Sequence, residues 1–243
     1  MGIYWSTHKF CLDEGVVGGK AASLARCVRA GLPVPNFLVV VEAANRDEFY
    51  ALVEFNTYLR RLDMPVAVRS SAVGEDGDED SYAGQHDTFL HVDSPSQAWE
   101  SYRQCVDSIH SDRAVAYRST RGLPTPRMAV IVQEMVAADA SGVLFTRHPI
   151  TDEVTLLIEA GEGAGAVVDG TGGTVTLVTS EDGSPTILVP RSDGSDPIEV
   201  PVPALADLAD RLKAIYGDAL DIEWAIQGVV PPPGSAGAPL FPL

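Results

Sequence analysis

Positive charge is scarce in this sequence. It has 17 Lys and Arg against 34 Asp and Glu, which gives a formal net charge of −17. Nonspecific binding to nucleic acids or to anionic membranes requires a basic surface, so the composition argues against both. A small anionic ligand is still allowed, because it needs only a local cluster of basic groups.

Cysteine and long apolar runs are also rare. The three cysteines are odd in number and form no C-x-x-C, which argues against a disulfide framework or a zinc site and fits a reducing cytosol. No apolar run reaches the roughly 18 residues of a membrane span. The first ten residues, MGIYWSTHKF, lack the apolar core of a signal peptide. We therefore expect a soluble, cytoplasmic protein with no membrane or nucleic-acid partner.

Three common enzyme signatures are missing. The five histidines include no H-x-x-x-H pair, which argues against zinc-dependent hydrolysis. No G-x-S-x-G is present, so a serine-hydrolase elbow is unsupported. The P-loop pattern G-x-x-x-x-G-K-[ST] is absent too.

Helical and extended patterns mix without strict alternation, which predicts an α+β fold. The predicted helices cover residues 20–31, 45–62, 94–119 and 203–217. The predicted strands cover a segment that ends near Val41, residues 66–68, 88–92, 127–136, 141–149, 154–161 and 220–228, and the alternating end of the glycine-rich segment 161–179.

Two segments could bind an anion. Gly18 and Gly19 precede Lys20 at a predicted helix start, where backbone N–H groups, the helix dipole and an ammonium group favour phosphate. Lys20 is one of only three lysines in the chain. Arg69 ends a predicted strand, and a guanidinium can clamp phosphate oxygens in a bidentate manner. The alternatives are a glycine turn beside a solvated lysine, and a surface arginine paired with the acidic loop that follows.

Two further segments could complete a nucleotide site. Asp221 and Glu223 share one face of a predicted strand, about 7 Å apart, and could hold Mg²⁺ together with phosphates. Gln133, Glu134, Met135 and Val136 end an apolar strand, where backbone groups and apolar side chains can flank a purine. A solvated strand face and simple strand termination are the respective alternatives.

Four blocks, taken in order, resemble the ATP-binding domain shared by phosphoenolpyruvate synthase, pyruvate phosphate dikinase and rifampin phosphotransferase. The blocks are VGGKAASLARCVRAGLPVPNFLVV, VAVRSSAVGEDGDEDSYAGQHDTFLHV, MAVIVQEMVAADASGVLFTRHPIT and LDIEWAI. The resemblance runs from about residue 12 to the end of the chain. It implies an ATP-grasp-like nucleotide-binding domain over residues 1–243, with lobes at roughly 1–125 and 126–243. A helical subdomain between Val41 and Val66 is expected to be trimmed relative to larger members.

The resemblance also implies roles for these residues. Lys20 and Arg69 would contact the ATP phosphates and act in the transfer, beside Gly18 and Gly19. Residues 133–136 would form the adenine hinge, with Glu134 and Val136 supplying backbone contacts. Asp221 and Glu223 would match the acidic strand that ligates Mg²⁺. The loop at residues 74–84 would close over the triphosphate.

The chain departs from the family pattern in three places. Its last residues, APLFPL, run into a strand that usually continues as L-Y-x-L-Q-x-R-P. Ala166 stands near the position of a family glutamate, and His148 replaces a common Asp or Asn. No swivelling phosphohistidine domain and no T-S-H-type motif is found in the sequence.

Three functions remain open from the sequence. The first is an ATP-dependent phosphotransferase component that passes a phosphoryl or pyrophosphoryl group to a histidine of a partner or of a missing C-terminal domain, and thence to a small acceptor. The second is a stand-alone kinase or ligase that acts directly on a small molecule. The third is a nucleotide-binding pseudoenzyme. The acceptor is not encoded in any segment present.

Overall fold

The computed structural model describes residues 2–41, 47–74, 76–77, 80–81, 88–122, 124–163, 175–179, 185–189, 200–228 and 240–242. The described helices are Glu14–Arg29 (α1), Glu48–Leu59 (α2), Pro95–Asp107 (α3), Asp112–Arg121 (α4) and Val202–Tyr216 (α5). The described strands are Gly2–Trp5 (β1), Phe37–Val41 (β2), Val66–Ala72 (β3), Asp76–Gly77 (β4), Asp80–Ser81 (β5), Thr88–Val92 (β6), Met128–Glu134 (β7), Ala140–Arg147 (β8), Val154–Glu162 (β9), Val175–Thr179 (β10), Pro185–Val189 (β11), Asp221–Ile226 (β12) and Leu240–Pro242 (β13).

The chain divides into two compact units. Unit 1 contains Met1–Gly31 and Pro35–Met135, and unit 2 contains Leu32–Val34 and Val136–Leu243. The division after Met135 lies about ten residues beyond the lobe boundary expected from the sequence. The reason is β7, which pairs with β2 and β3 and therefore belongs to the first unit.

Unit 1 is built on a five-stranded antiparallel sheet in the order β1-β2-β7-β3-β6. Apolar residues on one face of the sheet pack with α2 and α3 in a single core that includes Phe55 and Tyr102. The other face carries α1, which contacts β2, β3 and β7. Because side chains alternate along a strand, β3 sends Val66 and Val68 into the first core and Arg69 toward the α1 face.

Unit 2 is built on a six-stranded antiparallel sheet in the order β11-β10-β9-β8-β12-β13. Helix α5 contacts β8 and buries Leu205, Leu208 and Leu212. Helices packed on antiparallel sheets confirm the α+β prediction. None of the described helices combines the length and the apolarity needed to cross a bilayer.

Local patterns located most elements but not all their bounds. The helix expected over 94–119 divides into α3, a 3₁₀ turn at Ser108–His110, and α4. The strand expected at 66–68 continues to Ala72, because β7 supplies pairing partners along its whole length. No local pattern predicted β1, a four-residue strand that pairs with β2.

Candidate functional site

Helix α1 is broken at Gly18. It begins at Glu14, capped by the Asp13 carboxylate, and not at Lys20 as the sequence suggested. Gly18 has φ 78° and ψ 165°, which is not helical, and a second helical segment then runs to Arg29. The glycines and Lys20 therefore do mark a helix start, but one inside a longer element.

Glycine is required at position 18 for two reasons. Its backbone conformation is one that side-chain-bearing residues rarely adopt. A Cβ atom there would also lie 2.5 Å from both the carbonyl oxygen and the Oγ of Ser71. The close approach of α1 to β3 thus depends on the absence of a Cβ atom at position 18.

Ser71 connects the two segments predicted to bind phosphate. Its Oγ donates to the Val17 carbonyl at 2.7 Å and accepts from the Ala21 N–H at 3.2 Å, across 50 residues of sequence. Ala21 follows Lys20 directly, and Ser71 lies two residues after Arg69 on the same face of β3. The fold of unit 1 therefore brings the Gly-Gly-Lys segment beside the Arg-Ser-Ser segment.

The two candidate cations differ in their surroundings. Lys20 is exposed, whereas Arg69 is half-buried. Arg69 lies between Thr88 on β6 and Ile131 on β7 in the sheet register. The backbone of Arg69 is consequently held within an interior strand of the sheet. The backbone of Lys20 is held at the start of a helical segment.

Gln133 is the buried member of the predicted hinge. Its side chain is 1% exposed, and its amide nitrogen donates to the Pro35 carbonyl at 3.5 Å. Its Oε1 is buried and has no hydrogen-bond partner within the described part of the chain. A buried carbonyl oxygen without a hydrogen-bond partner carries a desolvation cost.

Glu134 has a structural contribution that the sequence did not suggest. Its carboxylate accepts from the Asn36 side-chain amide at 2.8 Å and from the Asp63 N–H at 3.0 Å. Its own N–H donates to the Asn36 carbonyl at 2.9 Å. Glu134 thus ties β7 to the segments before β2 and after α2. Neither Asn36 nor Asp63 is near it in sequence, so no local signal predicted this.

The remaining hinge residues are split between the units. The Met135 N–H donates to the Pro65 carbonyl, and its sulfur accepts from the His91 N–H at 2.9 Å. Val136 begins the second part of unit 2, where its carbonyl accepts from the Ala138 N–H. The predicted hinge therefore coincides with the point at which the chain passes from one unit to the next.

The acidic pair lies on β12 in unit 2. Asp221 and Glu223 are exposed on one face, while Ile222 and Trp224 are buried on the other, as the alternating pattern predicted. The register places Glu159 on the same face, two strands from Glu223. Among the described residues, no group of three or more His, Cys, Asp or Glu side chains is gathered closely enough to hold a metal ion. In the described part of the chain, Asp221 and Glu223 therefore form a pair of carboxylates and not part of a larger cluster.

Two expectations from the sequence fall largely outside the described residues. Residues 75, 78–79 and 82–87 include most of the loop expected to close over the triphosphate. Residues 164–174 include Ala166. The third departure, His148, lies within the described residues. Its Nδ1 accepts from the N–H groups of Ile150 and Thr151 and so shapes the turn between β8 and β9.

The chain is similar to several known proteins. It is 32% identical to a probable phosphoenolpyruvate synthase from Methanothermobacter thermautotrophicus over 290 aligned positions, which cover 88% of this chain and 42% of the relative. It is 36% identical to a rifampicin phosphotransferase from Streptomyces sviceus, over 66% of this chain and 21% of that protein. A crystal structure of PH1788 from Pyrococcus horikoshii matches with a TM-score of 0.48 and 14% identity, covering 96% of this chain and 92% of that one.

These relatives are longer than the chain. It spans 42% or less of the length of each of the two curated relatives named above. The alignment of 290 positions also exceeds the 243 residues of the chain, so the archaeal relative contains residues that this chain lacks. The model of the pyruvate phosphate dikinase AMP/ATP-binding domain matches residues 50–190. The match covers more than half of the chain, which therefore belongs to the family of the pyruvate phosphate dikinase AMP/ATP-binding domain.

Proposed function

We propose that this chain is the nucleotide-binding component of an ATP-dependent phosphotransferase. In this proposal it binds Mg-ATP and transfers a phosphoryl or pyrophosphoryl group to a histidine of a separate domain or partner, and thence to a small acceptor. The observation that supports it best is the junction at Ser71, where the Gly-Gly-Lys and Arg-Ser-Ser segments meet. Membership in an AMP/ATP-binding family, whose model matches residues 50–190 and so includes Arg69 and Ser71, supports ATP as the ligand.

The residues present fit ATP. Lys20 and Arg69 would supply two positive charges near a helix start in a chain with a net charge of −17, as the local basic cluster that a triphosphate requires. The adenine ring would be recognised partly through its exocyclic amino group. In the predicted hinge, the Glu134 carbonyl would accept from that amino group and the Val136 N–H would donate to a ring nitrogen.

The residues present also fit Mg²⁺. Asp221 and Glu223 offer hard carboxylate oxygens on one strand face, and Mg²⁺ commonly takes one or two protein carboxylates together with phosphates and waters. When bound, Mg²⁺ supplies charge neutralisation at the phosphate oxygens. The chain would contribute chiefly by position: Lys20 and Arg69 would hold the phosphates and balance the negative charge that develops during transfer.

The reaction is tested by identifying its products. The protein is incubated with Mg-ATP alone, with a phosphohistidine-domain protein of the same family, or with candidate small acceptors. Formation of AMP and inorganic phosphate, or of ADP, that depends on the histidine domain supports the proposal. ADP formation with a small acceptor alone would indicate a direct kinase or ligase. ATP binding without turnover in any mixture would indicate a pseudoenzyme.

The site is tested by calorimetric titration of Mg-ATP. We expect Lys20→Ala and Arg69→Ala each to weaken ATP binding about tenfold or more, since each removes a charge-assisted phosphate contact. Lys213→Ala and Arg103→Ala are matched controls, because both side chains form ion pairs elsewhere, with Asp210 and Glu48. Unchanged affinity in both site variants would refute the assignment.

A further inference from the structure

The Ser71 hydroxyl interrupts a specific helical hydrogen bond. In an unbroken α-helix the Ala21 N–H would donate to the Val17 carbonyl four residues earlier. Here the Ser71 Oγ lies between these two groups, donating to the carbonyl at 2.7 Å and accepting from the N–H at 3.2 Å. A side chain inserted into the i→i−4 ladder is a recognised cause of helix kinks.

The interrupted bond spans the residues predicted to meet phosphate. Gly18, Gly19 and Lys20 are the three residues between Val17 and Ala21. Ser71 is 0% exposed, so bulk water does not compete for either bond. The conformation of these three residues is therefore set by one buried hydroxyl from strand β3.

We infer that Ser71 is a positioning residue for the triphosphate. Its hydroxyl holds α1 open at Gly18, so that Lys20 and the N–H groups of the second helical segment are presented to an anion. Because Ser71 and Arg69 belong to the same strand, the hydroxyl also fixes the register between Arg69 and Lys20. This inference rests on the proposed ATP-binding function.

Ser70 provides a matched control on the same strand. It is 1% exposed, as buried as Ser71, and it points to the opposite face of β3. It is paired with Val130, which lies in the core shared with α2 and α3. Removing its hydroxyl perturbs a buried serine of β3 without touching the break in α1.

The first experiment compares nucleotides that differ in phosphate number. In the full chain, Ser71→Ala is expected to weaken Mg-ATP binding about tenfold and AMP binding less than threefold, because the hydroxyl acts on the triphosphate end. Ser70→Ala is expected to change both affinities less than threefold. Ser71→Cys is similar in size and able to donate weakly, so its Mg-ATP affinity is expected to lie between those of wild type and Ser71→Ala. This variant replaces Ser71→Ala in the comparison if Ser71→Ala does not fold.

The second experiment needs no nucleotide. Amide hydrogen exchange across residues 17–22 is expected to accelerate at least fivefold in Ser71→Ala, since the Ala21 N–H loses its buried acceptor. Ser70→Ala is expected to leave this segment unchanged. Equal protection in Ser71→Ala and wild type would overturn the inference, because the hydroxyl would then not control the break.

The outcomes separate the inference from the function on which it rests. If wild type binds Mg-ATP and Lys20→Ala weakens it, but Ser71→Ala binds as wild type does, the positioning role is refuted and the function stands. If Ser71→Ala weakens ATP and AMP equally, the effect is general loosening and the inference also fails. If wild type does not bind Mg-ATP, the proposed function itself is refuted, and the inference with it.

Discussion

In unit 1 the candidate residues belong to a junction closed by tertiary hydrogen bonds, whereas in unit 2 the acidic pair stands exposed on a strand. Gly18 and Ser71 contact each other across the α1–β3 junction, and Glu134 joins three chain segments. Asp221 and Glu223 are exposed on β12, whose buried side chains lie on the other face of the strand. Changes in unit 1 should therefore affect folding and binding together, while changes to the acidic pair should affect binding alone.

The largest expected effect is that of Gly18→Ala. We expect a loss of about 3 kcal/mol in the free energy of unfolding, because the backbone conformation is restricted to glycine and the new Cβ meets the backbone of Ser71. Urea denaturation measures it. Gly15→Ala is the control, since a Cβ there meets only the Asp13 carboxylate at 3.1 Å. Equal stability of the two variants would show that the junction is not tightly closed.

Glu134→Ala should lower the free energy of unfolding by a smaller amount, about 1–2 kcal/mol, because it removes the acceptors for Asn36 and Asp63. Glu134→Gln should recover most of this loss, because its amide keeps one acceptor and the Asn36 amide can turn to meet the other end. Denaturation of both variants measures the difference. Glu100→Ala, which removes one contact to Gln104 on the exposed side of α3, should be nearly neutral. A similar loss in Glu100→Ala would show that the two Glu134 contacts stabilise the fold no more than an exposed contact within a helix does.

A third prediction concerns Cys11, which is fully buried in unit 1 and donates to the Trp5 carbonyl at 3.2 Å. Burial raises the pKa of the Cys11 thiol from 9.0 to about 11. The unfolded chain therefore loses this proton first, and the folded state becomes less stable as pH rises from 9 toward 11. The slope approaches about 1.4 kcal/mol per pH unit at most.

Cys11→Ala should flatten this dependence. Urea denaturation in the presence of a reductant, at pH 8 and pH 10, gives the comparison, and we expect wild type to lose about 1 kcal/mol more than the variant over that interval. Other groups that ionise in this range are common to both proteins and cancel in the difference. Identical slopes would contradict the burial of the thiol in solution.

The contrast between the units also explains what the sequence could predict. β12 was located correctly because alternation of Ile222 and Trp224 with Asp221 and Glu223 is a local pattern. The Gly-Gly-Lys segment was recognised as a helix start, but the earlier half of α1 was missed, because the break is produced by Ser71, 50 residues away. The contacts of Glu134 with Asn36 and Asp63 are equally nonlocal. Local periodicity thus predicted the elements and the candidate residues, whereas tertiary contacts decided how they are held.

The smallest expected effect on stability is that of the double variant Asp221→Asn with Glu223→Gln. Both side chains are exposed, so the free energy of unfolding should change by less than about 0.5 kcal/mol, and the loss of repulsion between like charges would act to raise it. If the pair ligates Mg²⁺ as proposed, the variant should bind ATP equally with magnesium and with EDTA, whereas wild type should require the metal. Denaturation and titration on the same samples measure the two properties separately. A loss of stability above about 1 kcal/mol would contradict the contrast between the units, and a retained magnesium requirement would remove these carboxylates from the site.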